Sequence, residues 1–231
     1  DFKFYNGITS APVAPAGDVK PTDVQEGSRW EETDTRKMYH YTYDWFLEGT
    51  TIPPQPSTRG LFAGGEVSSN VIDYITIATA GVCTDFGNLT VGRWNASAVS
   101  SGTRAVFMGG NTGSFSDTMD YVTVAVPSAT ATDFGDLITA MNSSAGVSSE
   151  TRGIMGGGNN GSNVSNMEFI TIATAGTGTD FGDLTQTRHS PAGVSSGTRG
   201  CFGGGYNSGN VNTIDYVTID ANPTANATDF G

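Results

Sequence analysis

Charge is scarce in this chain, and cysteine scarcer. Of 231 residues only 15% are Asp, Glu, Lys or Arg, and two are cysteine, Cys83 and Cys201. They fall at different places in the repeat described below, so they do not form the paired framework that staples small secreted domains and assign no redox compartment. Histidine is equally rare. His40 and His189 lie in different regions of the sequence, which leaves a shared metal site or a Ser/His/Asp set without support. No run of about 18 apolar residues occurs, so membrane insertion is not expected. Basic residues are few: 11 Lys plus Arg face 23 Asp plus Glu, a formal charge of −12 that repels phosphate backbones and argues against nucleic acid as a partner.

What the chain has in quantity is glycine, 32 residues of it, with many Ser, Thr and Asn. Such a composition suits a turn-rich, all-β protein. The glycines recur in order. Thr58-Arg59-Gly60-Leu61-Phe62-Ala63-Gly64-Gly65 returns from Thr103 to Gly109-Gly110, from Thr151 to Gly156-Gly157 and from Thr198 to Gly203-Gly204. A second marker, Asp-Phe-Gly, begins at Asp85, Asp133, Asp180 and Asp229. Both markers give a period of about 47 residues, which places four repeats at 58–102, 103–150, 151–197 and 198–231.

Within each repeat short alternating or β-branched stretches are separated by Gly, Ser and Asn clusters. Three strands follow directly: one from Thr-Arg to the glycine doublet, one exemplified by Ile72-Asp73-Tyr74-Ile75-Thr76-Ile77, and one through Asp-Phe-Gly. A fourth lies near residues 96–100, 144–148 and 192–196, just ahead of the next Thr-Arg. Four short strands in about 47 residues make one blade of a β-propeller. The glycine doublets are expected to let backbones approach closely, and the aromatics to fill the space between blades.

The unit resembles a kelch repeat, whose pattern is a Gly-Gly doublet, a Tyr, a large aromatic and then an Arg. Gly64, Gly65, Tyr74, Phe86 and Arg93 carry it in the first repeat. The second has Gly109, Gly110, Tyr121 and Phe134, with Met141 at the Arg position. In the third, Gly156 and Gly157 precede Phe169, Phe181 and Arg188; the last has Gly203, Gly204, Tyr216 and Phe230. Phe replaces the family's usual Trp. With the recurring Thr-Asp-Phe-Gly-Asp-Leu-Thr phrase, this looks like kelch-like arrays in structural proteins of marine tailed bacteriophages. The resemblance implies a propeller fold and a non-enzymatic virion component, part of a tail fibre or appendage. Its partners would be other virion proteins and a host-surface glycan or receptor, with homo-oligomers open. A cellular kelch-type interaction module, extracellular or at a cell surface, and a propeller enzyme such as a carbohydrate oxidase or glycan hydrolase are the rival readings.

Residues 1–57 read differently. Prolines between Ala11 and Pro21 and the Pro53-Pro54-Gln55-Pro56 run bracket a segment of short β stretches, from Gly27 through Tyr41 and at Trp45-Phe46. It resembles a small β-motif of phage tail and fibre proteins that adjoins attachment regions; alternatively, Met38-Tyr39-His40-Tyr41 with Trp45 is a diverged blade. Either this segment completes a ring of about five blades, or the chain is part of a longer one, or other subunits cover the open sheet edges.

No catalytic constellation emerges, and no cofactor is expected. A copper-radical site of the kind found on kelch-like oxidases needs two clustered histidines, and Asp-Phe-Gly here lacks the phosphate and catalytic loops of a kinase. The Asp of that phrase is expected to bond nearby backbone N–H groups, and calcium binding stays open. Recognition is expected in the irregular loops after each doublet, because loops on a rigid scaffold vary without cost to the fold. The candidates are Glu66, Asn70, Asn111, Phe115, Asn159, Asn160, Tyr206 and Asn207.

Overall fold

The computed structural model describes residues 58–65, 68–125 and 130–231 in full and, before residue 58, the backbone of four short strands. Among the described residues there is no helix, and the strands assemble into five antiparallel sheets. The protein is all-β. It divides into two compact units, Asp1–Pro54 and Gln55–Gly231. In the first, β1 (Phe4–Tyr5), β2 (Arg29–Glu32), β3 (Lys37–Tyr41) and β4 (Trp45–Leu47) form one sheet in chain order. The candidate Glu66 lies outside the described residues.

The second unit holds four sheets. The first joins β5 (Arg59–Ala63), β6 (Val71–Thr76) and β7 (Thr84–Asn88). The second joins β8 (Ser97–Ser100), β9 (Arg104–Met108), β10 (Thr118–Thr123) and β11 (Thr132–Asp136). β12 (Ala145–Ser148), β13 (Arg152–Gly156), β14 (Asn166–Thr171) and β15 (Thr179–Asp183) make the third. The fourth contains β16 (Ala192–Ser195), β17 (Arg199–Gly203), β18 (Ile214–Thr218) and β19 (Thr228–Asp229). Sheets and sequence repeats are therefore out of phase. The strand at the tail of each repeat, such as β8, pairs with the Thr-Arg strand of the following repeat. Each lead-in thus crosses from one sheet to the next.

Asp-Phe-Gly gains its meaning from a β-bulge. In the second sheet Met119 pairs with Gly135 and Asp120 with Asp133, so Phe134 is the extra residue. The same shift leaves Phe86 and Phe181 unpaired in the first and third sheets. A bulge bends its strand and turns the extra side chain, and all three rings end up buried. The glycine after each ring has positive φ, for instance 127° at Gly135 and 128° at Gly182, which L side chains rarely adopt. The expected turn role of the Asp holds at Asp229, whose carboxylate accepts the Gly231 N–H at 3.1 Å. Asp85, Asp133 and Asp180 are exposed.

The glycine doublet sits one residue later than the sequence reading placed it in the third and fourth repeats. Gly156 and Gly203 end β13 and β17 in ordinary strand conformation, whereas the positive-φ pairs are Gly157-Gly158 and Gly204-Gly205. They match Gly64-Gly65 and Gly109-Gly110. A Cβ on Gly109 would stand 2.6 Å from the Met141 carbonyl oxygen and one on Gly157 2.8 Å from that of Arg188. The pair is a crossing point for the lead-in behind it.

Neighbouring sheets of this unit pack face to face, and each apolar cluster spans two of them. Phe86 and Ile72 of the first sheet meet Phe107 and Val122 of the second; Phe134 and Met119 meet Met155 and Ile170; Phe181 and Met167 meet Phe202 and Val217. Burial on both sides explains why β9 is covered at four successive positions while β17 alternates. An aromatic ladder runs along each joint. The Thr-Arg guanidinium lies over the Tyr or Phe of the central strand, 4.1 Å away for Arg104 and Tyr121, and that ring meets the bulge Phe edge-on at 6.0 Å. The guanidinium then donates across the joint: Arg59 to the Val124 carbonyl, Arg104 to Ile172 and Arg152 to Ile219, at 2.6, 2.9 and 3.0 Å.

Candidate recognition site

The irregular loops between β9 and β10, β13 and β14, and β17 and β18 gather at one end of the sheets, against the lead-ins. In the second sheet Asn111 bridges Trp94 of the lead-in and Phe115 of its own loop. Asn159 does the same between Asn142 and Asn163, and Tyr206 between His189 and Asn210. Equivalent positions therefore hold Trp, Asn and His on the lead-in, Asn, Asn and Tyr at the loop start, and Phe, Asn and Asn further along. The framework repeats while these nine side chains vary.

Hydrogen bonds tie the loops into a row. The Asn163 amide donates to the Tyr206 carbonyl at 3.3 Å and to the Asn207 side chain at 3.4 Å, linking the third sheet to the fourth. Along the lead-ins, the Ser143 N–H donates to the Asn95 carbonyl and the Ser190 N–H to the Ser143 carbonyl, at 2.9 and 2.6 Å. None of the nine positions is a carboxylate, Lys or Arg. Flat rings beside amides suit neutral, hydrogen-bonding ligands.

The predicted loop residues divide by what their side chains already do. Asn111 and Asn159 hold their own turns, accepting the N–H of Gly113 and Gly161 at 2.8 and 2.9 Å, as Asn does in Asx-turns. Asn160 accepts from Ser162 at 3.4 Å, and Asn207 receives Asn163. Asn70 is exposed on the first sheet's loop. Phe115 and Tyr206 are the outward rings, 37% and 45% exposed, and Tyr206 lies 5.4 Å from the His189 ring. Trp94 and Asn142 were not among the sequence candidates. The lead-in is adjacent to these loops only in the folded chain, although the shared repeat position of Trp94, Asn142 and His189 is legible.

Among the described residues no three His, Cys, Asp or Glu side chains stand close enough to hold a metal ion. The perturbed groups are architectural. Arg93 is wholly buried against Asp120, and desolvation lowers its pKa against the carboxylate's opposing pull. Glu168 is buried too; desolvation raises its pKa, two backbone N–H groups oppose the rise, and the charge of Asp180 adds to it. Both lie within the sheet joints rather than on the loop row. No protein-family model and no curated protein matches this chain.

Proposed function

We propose that this chain is a non-enzymatic structural protein of a phage virion, a tail-fibre or appendage component. In this reading the four sheets of its second unit are kelch-like propeller blades, and its loop row contacts a host-surface glycan or receptor. The observation that carries the recognition role is the row itself: rings and amides vary at positions the scaffold holds in equivalent places. The virion setting rests on the resemblance of the Thr-Asp-Phe-Gly-Asp-Leu-Thr phrase and of the Gly27–Tyr41 segment to phage structural proteins.

The test is glycan-array and host-cell binding by the wild type, Tyr206→Ala and Trp94→Ala. Wild type binds, and each variant, unchanged in circular dichroism, loses about tenfold or more, the effect of removing an aromatic anchor. Binding untouched by either change overturns the site. Absence of the chain from purified virions by mass spectrometry overturns the setting.

A further inference from the structure

Each sheet of the second unit has a front, turned toward the next sheet, and a back, turned toward the one before. In the second and third sheets both are covered. The fourth sheet's front is open: Val194 is 68% exposed where its counterparts Val99 and Val147 are 4% and 2%. Phe230 is 57% exposed where Phe134 and Phe181 are buried. The first sheet's back is open in the same way. Phe62 and Ile77 are 56% and 66% exposed, against 4% and 3% for Phe107 and Val124. These are the two halves of one joint, and the chain builds that joint three times over within itself.

We propose that the fourth sheet's front in one copy packs on the first sheet's back in a second copy, in the register of the internal joints. That register is specific. Val99 leans on Gly153 and Val147 on Gly200, where a Cβ would collide with the valine; the first sheet carries Gly60 at this position, so Val194 has a matching socket. Arg59, Arg104 and Arg152 each clasp the carbonyl just past the next sheet's central strand. Arg199 is poised over Tyr216 at 4.5 Å like the others, and the equivalent carbonyl on the first sheet is that of Ile77. The contact is heterologous, front to back, so it builds closed rings, of which a pair of copies is the smallest, or open filaments.

The test is sedimentation of the full chain at about 100 µM, above the micromolar Kd of a modest interface. Wild type runs as a dimer or larger. Val194→Asp blocks only the front and Phe62→Asp only the back; both positions are exposed, so each variant keeps the wild-type circular dichroism and runs as a monomer. Mixed, they pair through the one intact face each retains and stop at a 1:1 dimer. Ile77→Asp and Phe230→Asp repeat the experiment at second positions on the two faces. A monomeric wild type, whether capped by its own first unit or awaiting a different protein, overturns the proposal. Assembly that survives both substitutions, or a mixture that stays monomeric, overturns it as well.

Discussion

The lead-ins before the second and fourth sheets close on an ion pair, whereas the lead-in before the third closes without a cation. Arg93 donates to Asp120 and to the Thr118 carbonyl, while Asp120 also receives the Thr90 N–H and hydroxyl. Arg188, Asp215 and Thr185 repeat this arrangement, with the ion pair at 2.6 Å. In the middle joint the three positions are Met141, Glu168 and Ile138. Met141 joins the apolar cluster of Met108, Met119 and Met155. Glu168, one methylene longer than Asp, reaches the backbone N–H groups of Ile138 and Thr139 at 2.8 and 3.1 Å, which replaces the hydroxyl that Ile138 lacks. One backbone joint thus accepts two chemistries, provided all three residues change together. Charge burial is tolerated only as a complete set.

Breaking the set shows its cost most directly. Asp215→Ala leaves the Arg188 guanidinium buried and unpaired, and chemical denaturation should show a loss of about 3–5 kcal/mol. Met141→Ala at the cation-free joint removes packing alone, about 2–5 kcal/mol by the usual core scale. The separation comes from rescue. Arg188→Met added to Asp215→Ala removes the orphaned charge and recovers part of the loss, a coupling that a double-mutant cycle reads directly; Met141→Ala orphans no cation, so the middle joint has no equivalent rescue.

The joints also differ in how near their inner strands approach. Gly153 and Gly200 face Val99 and Val147, while the same position in the second sheet is Ala105. The first sheet pairs only three strands among the described residues, and a cleft of about 300 Å³ lies beside β5, bordered by Gly60, Val99 and Ala105. Where no preceding inner strand presses, a methyl group fits. Gly153→Ala should therefore cost about 1–3 kcal/mol through overpacking. Ala105→Gly should cost less than about 1 kcal/mol, the penalty of glycine in a strand. Equal losses in thermal unfolding would remove this distinction between the joints.

The sequence makes the repeat, its strands and the recurrence of the two aromatics in each copy legible because these depend on local alternation and on a period visible in four copies. Partnership is less legible. Ala96 to Ser100 reads as a strand, but nothing local says that it pairs forward with Arg104–Met108. Three successive glycines at Gly156 to Gly158 hide which two take positive φ, because that is fixed by the lead-in carbonyl crossing above them. Met141 reads as a lost Arg until Glu168, 27 residues later, is seen to hold two N–H groups where Asp120 holds Thr90. The loop candidates were found by variability alone. Variability singles out Asn111 and Asn159, which serve their own turns, as readily as Tyr206, and it passes over Trp94 because the lead-in surrounding it repeats.

The smallest effect is a pH dependence confined to the middle joint. Burial raises the Glu168 pKa from its ordinary 4.5, with the Ile138 and Thr139 N–H groups pulling the other way. The folded protein therefore holds this proton to higher pH than the unfolded chain does. From the raised folded value down to the unfolded value, stability grows as pH falls, and below the unfolded value the contribution is constant. Above the folded value the carboxylate's desolvation weighs fully on the fold. Glu168→Gln cannot titrate, so the stability of wild type relative to this variant should rise as pH is lowered through that window. One proton sets the ceiling at about 1.4 kcal/mol per pH unit. Urea unfolding of both proteins across the acidic range reads the difference, and parallel pH curves would show that Glu168 is charged to the same extent in the folded and unfolded chains. That result would mean that its two N–H partners offset its burial, so that the cation-free joint holds the carboxylate and the carboxylic acid equally well.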